Sequence, residues 1–181
     1  HKIFHYLTIT QRGYLGTALI QAFFPVFPLI MRYFMVINLG FFLSLTLTFQ
    51  LLITYGLTVT TFYFVKEVLN KSNKQAWWTV LSLLIFPVSF FMGALYSEGL
   101  FLFLVLLSFI FAKQKKWLLA GIFGAVISGA RVVGIAILPA LLLELWLSRK
   151  NKFSYEGIIN FIKKDWFNII KISISSLGLL A

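Results

Sequence analysis

The most constraining feature of this sequence is the length of its uncharged apolar stretches. No Asp, Glu, Lys or Arg occurs between Arg32 and Lys66, and residues 75–112 and 117–147 are almost as poor in charge. A helix that crosses a bilayer needs roughly 20 predominantly apolar residues, because the hydrocarbon core is about 30 Å thick. The sequence therefore predicts several membrane-spanning helices.

The overall composition favours the same interpretation. Of the 181 residues, 60% are hydrophobic and 12% are charged. A water-soluble domain carries about 25% charged residues, because its surface must be solvated. We therefore expect an all-α fold, a polytopic transmembrane helical bundle that forms a single integral membrane domain over residues 1–181. Since the chain opens with His1 and stops within an apolar run, we expect it to be a fragment of a longer protein.

Polar interruptions divide the apolar sequence into about six predicted membrane helices. Residues 1–28, which end in Pro25-Val26-Phe27-Pro28, are predicted to form an extracytoplasmic loop, because two prolines three residues apart disrupt a regular helix. A short helix is predicted before Asn38–Gly40, followed by a span over roughly 41–65. Residues 75–112 are predicted to form two spans that turn at Tyr96–Gly99, and residues 117–147 two short helices that meet at Arg131. A cytoplasmic surface helix over 153–165 and a final span that begins near Trp166 complete the prediction.

Positive charge is concentrated in three short loops. The formal net charge is +11, and Lys and Arg cluster in residues 66–74, 113–116 and 149–152. Such loops face the cytoplasm under the positive-inside rule, and they are suited to contact anionic lipid head groups. Because the basic residues do not form a face on a soluble domain, nucleic acid is not an expected partner.

The loop assignment also predicts where the few membrane charges lie. With all three basic loops on the cytoplasmic side, the apolar stretches 75–112 and 117–147 must each cross the membrane to the outer face and return. Their turning points, at Glu98 and Arg131, then lie near the outer face together with the N-terminal loop. We therefore predict that His5, Arg32, Glu98 and Arg131 converge at one level of the membrane.

Three of these charges are candidates for chemistry. A charge at the centre of a membrane helix costs about 2.5–3.5 kcal/mol on insertion scales, so charges that persist there usually face a cavity or a partner. Glu98 has two interpretations. In the functional one its carboxylate binds substrate hydroxyls or orients a base, and in the other it is a hydrated turn residue at the interface without a function. Arg32 and Arg131 are suited to hold phosphate oxygens. Alternatively, Arg32 reaches interfacial water and Arg131 forms a structural ion pair with Glu98.

The remaining polar residues carry less specific patterns. His5 and Tyr6 are candidates for binding a hydroxyl, and the imidazole is also a candidate base. No His, Asp or Glu cluster has metal-ligand spacing, Cys is absent, and no glycine-rich phosphate-binding loop occurs. We expect neither a metal nor a cofactor. Glu144 is interpreted as interfacial, and Glu156 and Asp165 as part of the surface helix.

Three segments of the sequence carry motifs that together resemble one enzyme family. The segment His5-Tyr6-Leu7-Thr8-Ile9, with Gly13-Tyr14 and then Ala22-Phe23-Phe24-Pro25-Val26-Phe27-Pro28-Leu29, is similar to the first outer loop of the GPI mannosyltransferase II family and its prokaryotic relatives. Phe86-Pro87 followed by Phe91-Met92-Gly93-Ala94-Leu95-Tyr96-Ser97-Glu98 resembles its Asn-Pro…Tyr-Ser-Glu segment, and Gly129-Ala130-Arg131-Val132-Val133-Gly134 resembles its Arg-Ser-Asn-Gly stretch. Order and spacing agree from His5 to about Leu147.

The resemblance implies a GT-C-type integral membrane glycosyltransferase, with mannose as the typical sugar. Such enzymes use a polyprenyl-phosphate sugar as donor and invert the anomeric centre at the lumenal or extracytoplasmic face. By this resemblance Arg32 and Arg131 hold the lipid-linked phosphate. The sugar or acceptor hydroxyls are contacted by His5, Tyr6, Tyr96 and Glu98.

The sequence departs from the family pattern at two places. The family carries Trp-Asp shortly before its His-Tyr element, and that acid is the expected catalytic base. Counting back from His5, the position of this Asp falls on Lys2. The catalytic residue is therefore left unknown, with Glu98 as the one candidate in this chain. Val132 and Val133 stand where the family prefers Ser-Asn.

The alternative function is a transporter or flippase of a polar or lipid-linked substrate. It would use the same intramembrane charges as a substrate or proton site, although the sequence shows no inverted repeat. A structural membrane subunit is a third interpretation. For the enzyme, the expected partners are a polyprenyl-phosphate sugar donor, a lipid or glycan acceptor and membrane lipids. The composition favours a bacterial cytoplasmic membrane, or the endoplasmic reticulum membrane in a eukaryotic cell.

Overall fold

The chain is helical wherever its structure is described. The computed structural model describes residues 26–37, 42–89, 97–149 and 155–180, and within these ranges it contains helices and no strands, which confirms the predicted all-α class. The α-helices are α1 Val26–Ile37, α2 Phe42–Tyr63, α3 Asn73–Ile85, α4 Ser97–Lys113, α5 Trp117–Ala130, α6 Ile137–Ser148 and α7 Tyr155–Ser173. A π-helical turn, Phe64–Val68, continues α2, and 3₁₀ segments cover Pro87–Ser89, Val132–Ala136 and Ile174–Leu180.

The chain divides into two compact units, His1–Leu106 and Leu107–Ala181. The first contains α1 to α3 and most of α4. The second contains the end of α4 and the helices α5 to α7. The boundary between the two units falls within α4, which is one continuous helix.

Helix α2 is long and apolar enough to cross a membrane. Together with its π-helical turn it provides the apolar segment Ser44–Val68, which has 25 residues and a mean hydropathy of 1.3. This agrees with the span predicted over 41–65. Among the described residues it is the one helix that meets both criteria, and Trp117–Ala130 and Val133–Ser148 are shorter apolar helices.

Local breaks explain why the later apolar stretches form shorter helices than expected. Helix α3 ends at Ile85, and Phe86 adopts φ −57° and ψ 135° immediately before Pro87. A residue that precedes proline is sterically disfavoured from the α conformation, so the helix stops there. Helix α4 then begins at Ser97, so Ser97–Gly99, which were predicted to form a turn, are the first residues of a helix instead.

The buried face of α2 is more polar than its exposed face. The buried positions are Thr46, Gln50, Ile53, Leu57 and Thr61. The exposed large side chains are Leu47, Leu51, Leu52, Tyr55, Val59 and Tyr63. Gln50 is fully buried whereas Leu52 is 63% exposed, which is the reverse of the pattern expected for a helix at the surface of a water-soluble protein.

Aromatic contacts and a capping box hold the first unit together. The rings of Phe34 on α1 and Phe49 on α2 pack edge to face with centroids 5.4 Å apart. On α2, Phe62 packs against Trp77 of α3 at 5.2 Å. Helix α3 begins where the Ser72 side chain accepts from the Gln75 backbone N–H and the Gln75 side chain accepts from the Ser72 N–H, an arrangement that satisfies two otherwise unpaired donors.

A stripe of small residues on α5 dominates the packing of the second unit. Ala120, Gly121, Gly124, Ser128 and Gly129 are all buried. A β-carbon at Gly121 would overlap the backbone carbonyl of Lys171, and one at Gly178 would overlap the carbonyl of Ala125. Small residues allow helix backbones to approach this closely, as is common between membrane helices.

Residues 117–147 form two short helices that meet at Arg131, as predicted. Arg131 is extended, with φ −155° and ψ 144°, and separates α5 from the 3₁₀ turn that leads into α6. The C-terminal part differs from the expectation. Instead of a surface helix over 153–165 and a new span from Trp166, a single helix, α7, runs from Tyr155 to Ser173. The Lys163-Lys164-Asp165 sequence contains neither Pro nor Gly, so nothing in it interrupts the backbone hydrogen bonds.

The predicted N-terminal loop over 1–28 overlaps the start of α1, because the helix begins at Val26. Pro28 is therefore the third residue of the helix. Proline is tolerated in the first turn, where the backbone N–H groups have no intrahelical acceptor. Residues 1–25 lie outside the described residues.

Candidate functional site

The predicted site residues are distributed over both units. Arg32 and Glu98 belong to the first unit and Arg131 to the second. His5, Tyr6 and Tyr96 lie outside the described residues. The predicted convergence of these groups at one level of the membrane stays a prediction.

Arg32 lies on the exposed side of α1. Its neighbour Met31 is completely buried, whereas Tyr33 is 66% exposed. The contact between Phe34 and Phe49 fixes which face of α1 packs on α2, and Arg32 is exposed. An exposed guanidinium can either bind phosphate oxygens of a ligand or reach interfacial water, so both interpretations of Arg32 stay open.

Glu98 lies in the first turn of α4 and is half-buried. Its neighbours Ser97 and Leu100 are buried, with 4% and 5% of their surface exposed. Its carboxylate oxygen Oε2 is shielded from solvent, and the residue takes part in a further interaction. Acidic side chains are favoured in the first turn of a helix because the unpaired backbone N–H groups there carry partial positive charge.

Arg131 lies at the break between α5 and α6. Its backbone N–H donates to the carbonyl of Ile127 at 3.2 Å, and its carbonyl accepts from the N–H of Gly134 at 2.8 Å. These two bonds hold the extended backbone on both sides, and the residue is half-buried and takes part in a further interaction. The guanidinium therefore extends from a hydrogen-bonded corner between two helices. Such a group is suited to bidentate binding of phosphate.

An ion pair that the sequence did not predict joins the end of α4 to α6. The Nζ atom of Lys113 lies 2.7 Å from Oε1 of Glu144, whose side chain is 16% exposed. Glu144 was interpreted as interfacial from its position near the end of an apolar stretch. The pair brings the basic loop 113–116 next to the C-terminal end of α6, which precedes the basic loop 149–152. Loop 113–116 therefore lies beside the C-terminal half of α6 within the second unit.

A second ion pair anchors α7. The Nη2 atom of Arg149 donates to Oδ1 of Asp165 at 2.6 Å, and Nδ2 of Asn168 donates to the same oxygen at 3.1 Å. The Asp165 side chain is only 2% exposed, although the sequence interpretation placed it on a surface helix. Beside it, Trp146 of α6 packs edge to face against Phe161 of α7 at 5.0 Å.

The position of Asp165 in the helical pattern is the one sequence signal that could have identified its burial. Phe161, Asp165 and Ile172 recur at spacings of four and seven residues, which places them on one face of a helix. All three are buried. Asp165 lies on the apolar face, where a carboxylate requires a partner.

Comparison with protein-family models, with curated proteins and with solved structures found no match to this chain. The resemblance to the GPI mannosyltransferase II family stays a prediction that rests on the motifs between His5 and Leu147. The geometry contributes separate information, namely that Glu98 and Arg131 each lie at a helix end and are each half-buried.

Proposed function

We propose that this chain is part of a polytopic integral membrane protein, and that the protein is a GT-C-type glycosyltransferase. In this proposal it transfers a sugar, typically mannose, from a polyprenyl-phosphate donor to a lipid or glycan acceptor at the extracytoplasmic face. The membrane location and the chemistry rest on different observations.

The polarity of α2 is the observation that carries the membrane part of the proposal. Leu51 and Leu52 are each 63% exposed, while Thr46 and Gln50 on the opposite face are fully buried. Burying a Leu side chain stabilises a protein in water by about 1.5–3 kcal/mol, and exposed leucines forgo that gain. Lipid tails are as apolar as Leu, so in a bilayer this exposure has no such cost.

The other helices carry the same exposed apolar surface. Trp77, Ile85 and Phe86 are between 61% and 71% exposed at and after α3. Trp166 and Phe167 on α7 are each 58% exposed. On each of these helices, two exposed large apolar residues are neighbours in the sequence, which is typical of surfaces that face an apolar partner or lipid. Together with the small-residue packing of α5, it supports a lipid environment.

The lengths of α4 and α5 support the proposed location of the site. Glu98 and Lys113 lie at opposite ends of α4, about 23 Å apart along the axis at 1.5 Å per residue. Arg131 lies about 21 Å beyond Trp117 along α5 by the same rise. Both lengths cover most of a hydrocarbon core of about 30 Å. With loop 113–116 at the cytoplasmic surface, the rise along α5 would carry Arg131 toward the outer surface.

In the proposed reaction, an acceptor hydroxyl oxygen attacks the anomeric carbon of the donor sugar. The new glycosidic C–O bond forms while the bond from the anomeric carbon to the phosphate oxygen breaks, so polyprenyl phosphate leaves and the anomeric centre is inverted. The Arg32 and Arg131 guanidinium groups stabilise the charge that develops on the leaving phosphate. His5, Tyr6 and Tyr96 contact the sugar or acceptor hydroxyls.

A base must take the proton of the attacking hydroxyl. In this chain Glu98 is the candidate, either as the base itself or by orienting the hydroxyl.

The test is a transfer assay on the full-length protein in native membranes, with a radiolabelled polyprenyl-phosphate mannose donor. We expect Glu98→Gln and Arg131→Ala each to lower the rate of transfer by at least about 100-fold, since each removes a group that acts on the transition state. Glu67→Gln and Lys74→Ala are matched controls, because they make the same kinds of change at exposed positions in the π-helical turn after α2 and at the start of α3. These controls should retain the unmodified rate.

Two results would overturn the proposal. Unchanged transfer in both Glu98→Gln and Arg131→Ala would remove the proposed site. Translocation of the lipid-linked sugar across sealed vesicles, without any transfer of the sugar, would instead establish the flippase alternative.

A further inference from the structure

The exposed face of α7 combines bulky apolar residues with lysines. Trp166 and Phe167 are each 58% exposed, and Ile162 and Ile170 are 53% and 52% exposed. Lys163 and Lys164 are exposed on the same helix. At 100° per residue, Trp166, Ile170 and Lys163 lie close together on the side of the helix opposite Phe161 and Asp165.

The lysines of α7 lie on and beside this apolar arc. Lys164 and Lys171 are seven residues apart and therefore share one flank of the helix, adjacent to Phe167. The Nζ atom of Lys171 lies 4.1 Å from the centroid of the Phe167 ring. A lysine in this position packs its alkyl stem along apolar surface and directs its ammonium group to water or to head groups.

The acidic residue of this segment is removed from the exposed face. Between Phe161 and Gly178 the sequence has one acidic residue, Asp165. Its side chain is 2% exposed and is paired with Arg149 and hydrogen-bonded by Asn168. Within residues 161–178, the charged side chains on the outward face are therefore all lysines. The net charge of the sequence alone would not reveal this.

We propose that this face of α7 is a docking surface for anionic phospholipid head groups at the edge of the bilayer. The lysines are complementary to the head-group phosphates. The neighbouring Trp166, Phe167 and Ile170 have the amphipathic, interfacial character of residues that insert at the level of the head groups. An acidic protein would match the lysines but would leave this apolar arc without a bilayer-like partner. The proposal rests on the membrane location proposed above and is independent of sugar transfer.

The test measures which lipids lie next to α7. This chain contains no cysteine. Ile170→Cys, introduced into a cysteine-free variant of the full-length protein, therefore provides a single labelling position at the centre of the face. The variant is labelled with a fluorophore and reconstituted into phosphatidylcholine vesicles that contain equal small amounts of nitroxide-labelled phosphatidylglycerol or phosphatidylcholine. We expect phosphatidylglycerol to quench more strongly, with a preference of roughly fivefold for each lysine that contacts a head group.

Substitution of the lysines distinguishes a preference for anionic head groups from contact with any lipid. In the same labelled protein, Lys163→Gln with Lys164→Gln should reduce the preference for phosphatidylglycerol toward one. The matched pair Lys71→Gln with Lys74→Gln, at exposed positions just before and at the start of α3, should leave it unchanged. Addition of about 0.5 M salt should also lower the preference, because it shortens the screening length to roughly 4 Å.

Two outcomes would overturn the proposal. Equal quenching by both lipids would exclude an anionic preference at α7. Absence of quenching by either lipid would indicate that protein, either a partner or a second copy of the chain, covers this face. Extraction of the protein from membranes by alkaline carbonate would instead refute the membrane location itself, so the two failures are distinguishable.

Discussion

At the scale of single residues, the ion pair between Arg149 and Asp165 is asymmetric. The Arg149 side chain is 44% exposed, whereas that of Asp165 is 2% exposed. Removing the carboxylate leaves a guanidinium that can turn to water. Removing the guanidinium leaves a buried carboxylate with one neutral donor, Asn168. The two changes should therefore differ in their effect on stability, since an uncompensated buried charge is costly.

We expect Arg149→Ala to lower the free energy of unfolding by about 3–5 kcal/mol, the range for breaking a buried ion pair. Asp165→Asn should cost less, about 1–2 kcal/mol, because it removes the charge and retains a polar side chain of the same shape. Unfolding in detergent, followed by circular dichroism, measures both. The control is Lys163→Ala, at an exposed position of the same helix, which should change stability by no more than about 0.5 kcal/mol. An equal or larger loss for Asp165→Asn than for Arg149→Ala would contradict the asymmetry.

At the scale of the helix, the exposed face of α2 is the part that most requires lipid. Leu52 lies about 12 Å along the axis from Ser44, at 1.5 Å per residue. Leu69 follows the helix and is 48% exposed. A lysine introduced at Leu52 places a charge within the proposed hydrocarbon core, and a lysine introduced at Leu69 places a charge at its edge. The two variants can therefore be compared directly.

We expect Leu52→Lys to impair membrane insertion, because a lysine near the centre of a membrane helix costs about 2.5–3.5 kcal/mol. Leu69→Lys should insert normally, because its charge lies beside the loop that already carries Lys66 and Lys71. The fraction of protein that resists alkaline carbonate extraction measures insertion. Equal resistance of the two variants would show that the exposed face of α2 does not contact hydrocarbon.

At the scale of the whole molecule, the ion pair between Lys113 and Glu144 constrains the topology. It brings loop 113–116 to the C-terminal end of α6. Arg131 lies at the far end of α5 from this loop, about 21 Å along the axis. If the loop faces the cytoplasm, the corner at Arg131 should therefore be reached from the opposite side of the membrane.

Single cysteines introduced into this chain test that topology. Val133→Cys, at a position 68% exposed beside Arg131, should react with a membrane-impermeant maleimide from the extracytoplasmic side. Ser72→Cys and Gln114→Cys, both at exposed loop positions, should react only after permeabilisation, because basic loops are retained in the cytoplasm. Labelling of Gln114→Cys and Val133→Cys from the same side would contradict the proposed topology.

Features that depend on neighbouring residues were predictable from the sequence. The all-α class, the long apolar helix over 44–68 and the break at Arg131 follow from the length of apolar stretches and the polar residues that interrupt them. These are local properties of the chain, since backbone hydrogen bonds in helices join residues four apart. The predicted separation of a surface helix over 153–165 from a span that begins near Trp166 was wrong. Helix α7 continues through Lys163 and Asp165, because charged residues by themselves do not end a helix.

The partners of the charged residues were decided only by the tertiary structure. Lys113 meets Glu144, and Arg149 meets Asp165, across separations along the chain that no local pattern encodes. The close approach at Gly121 and Gly178 is likewise a property of packed backbones. The uncharged stretches, by themselves, determined that the chain forms apolar helices, because an apolar helix satisfies its own backbone. Which face of each helix is buried, and which charge each charge meets, depended on how those helices pack.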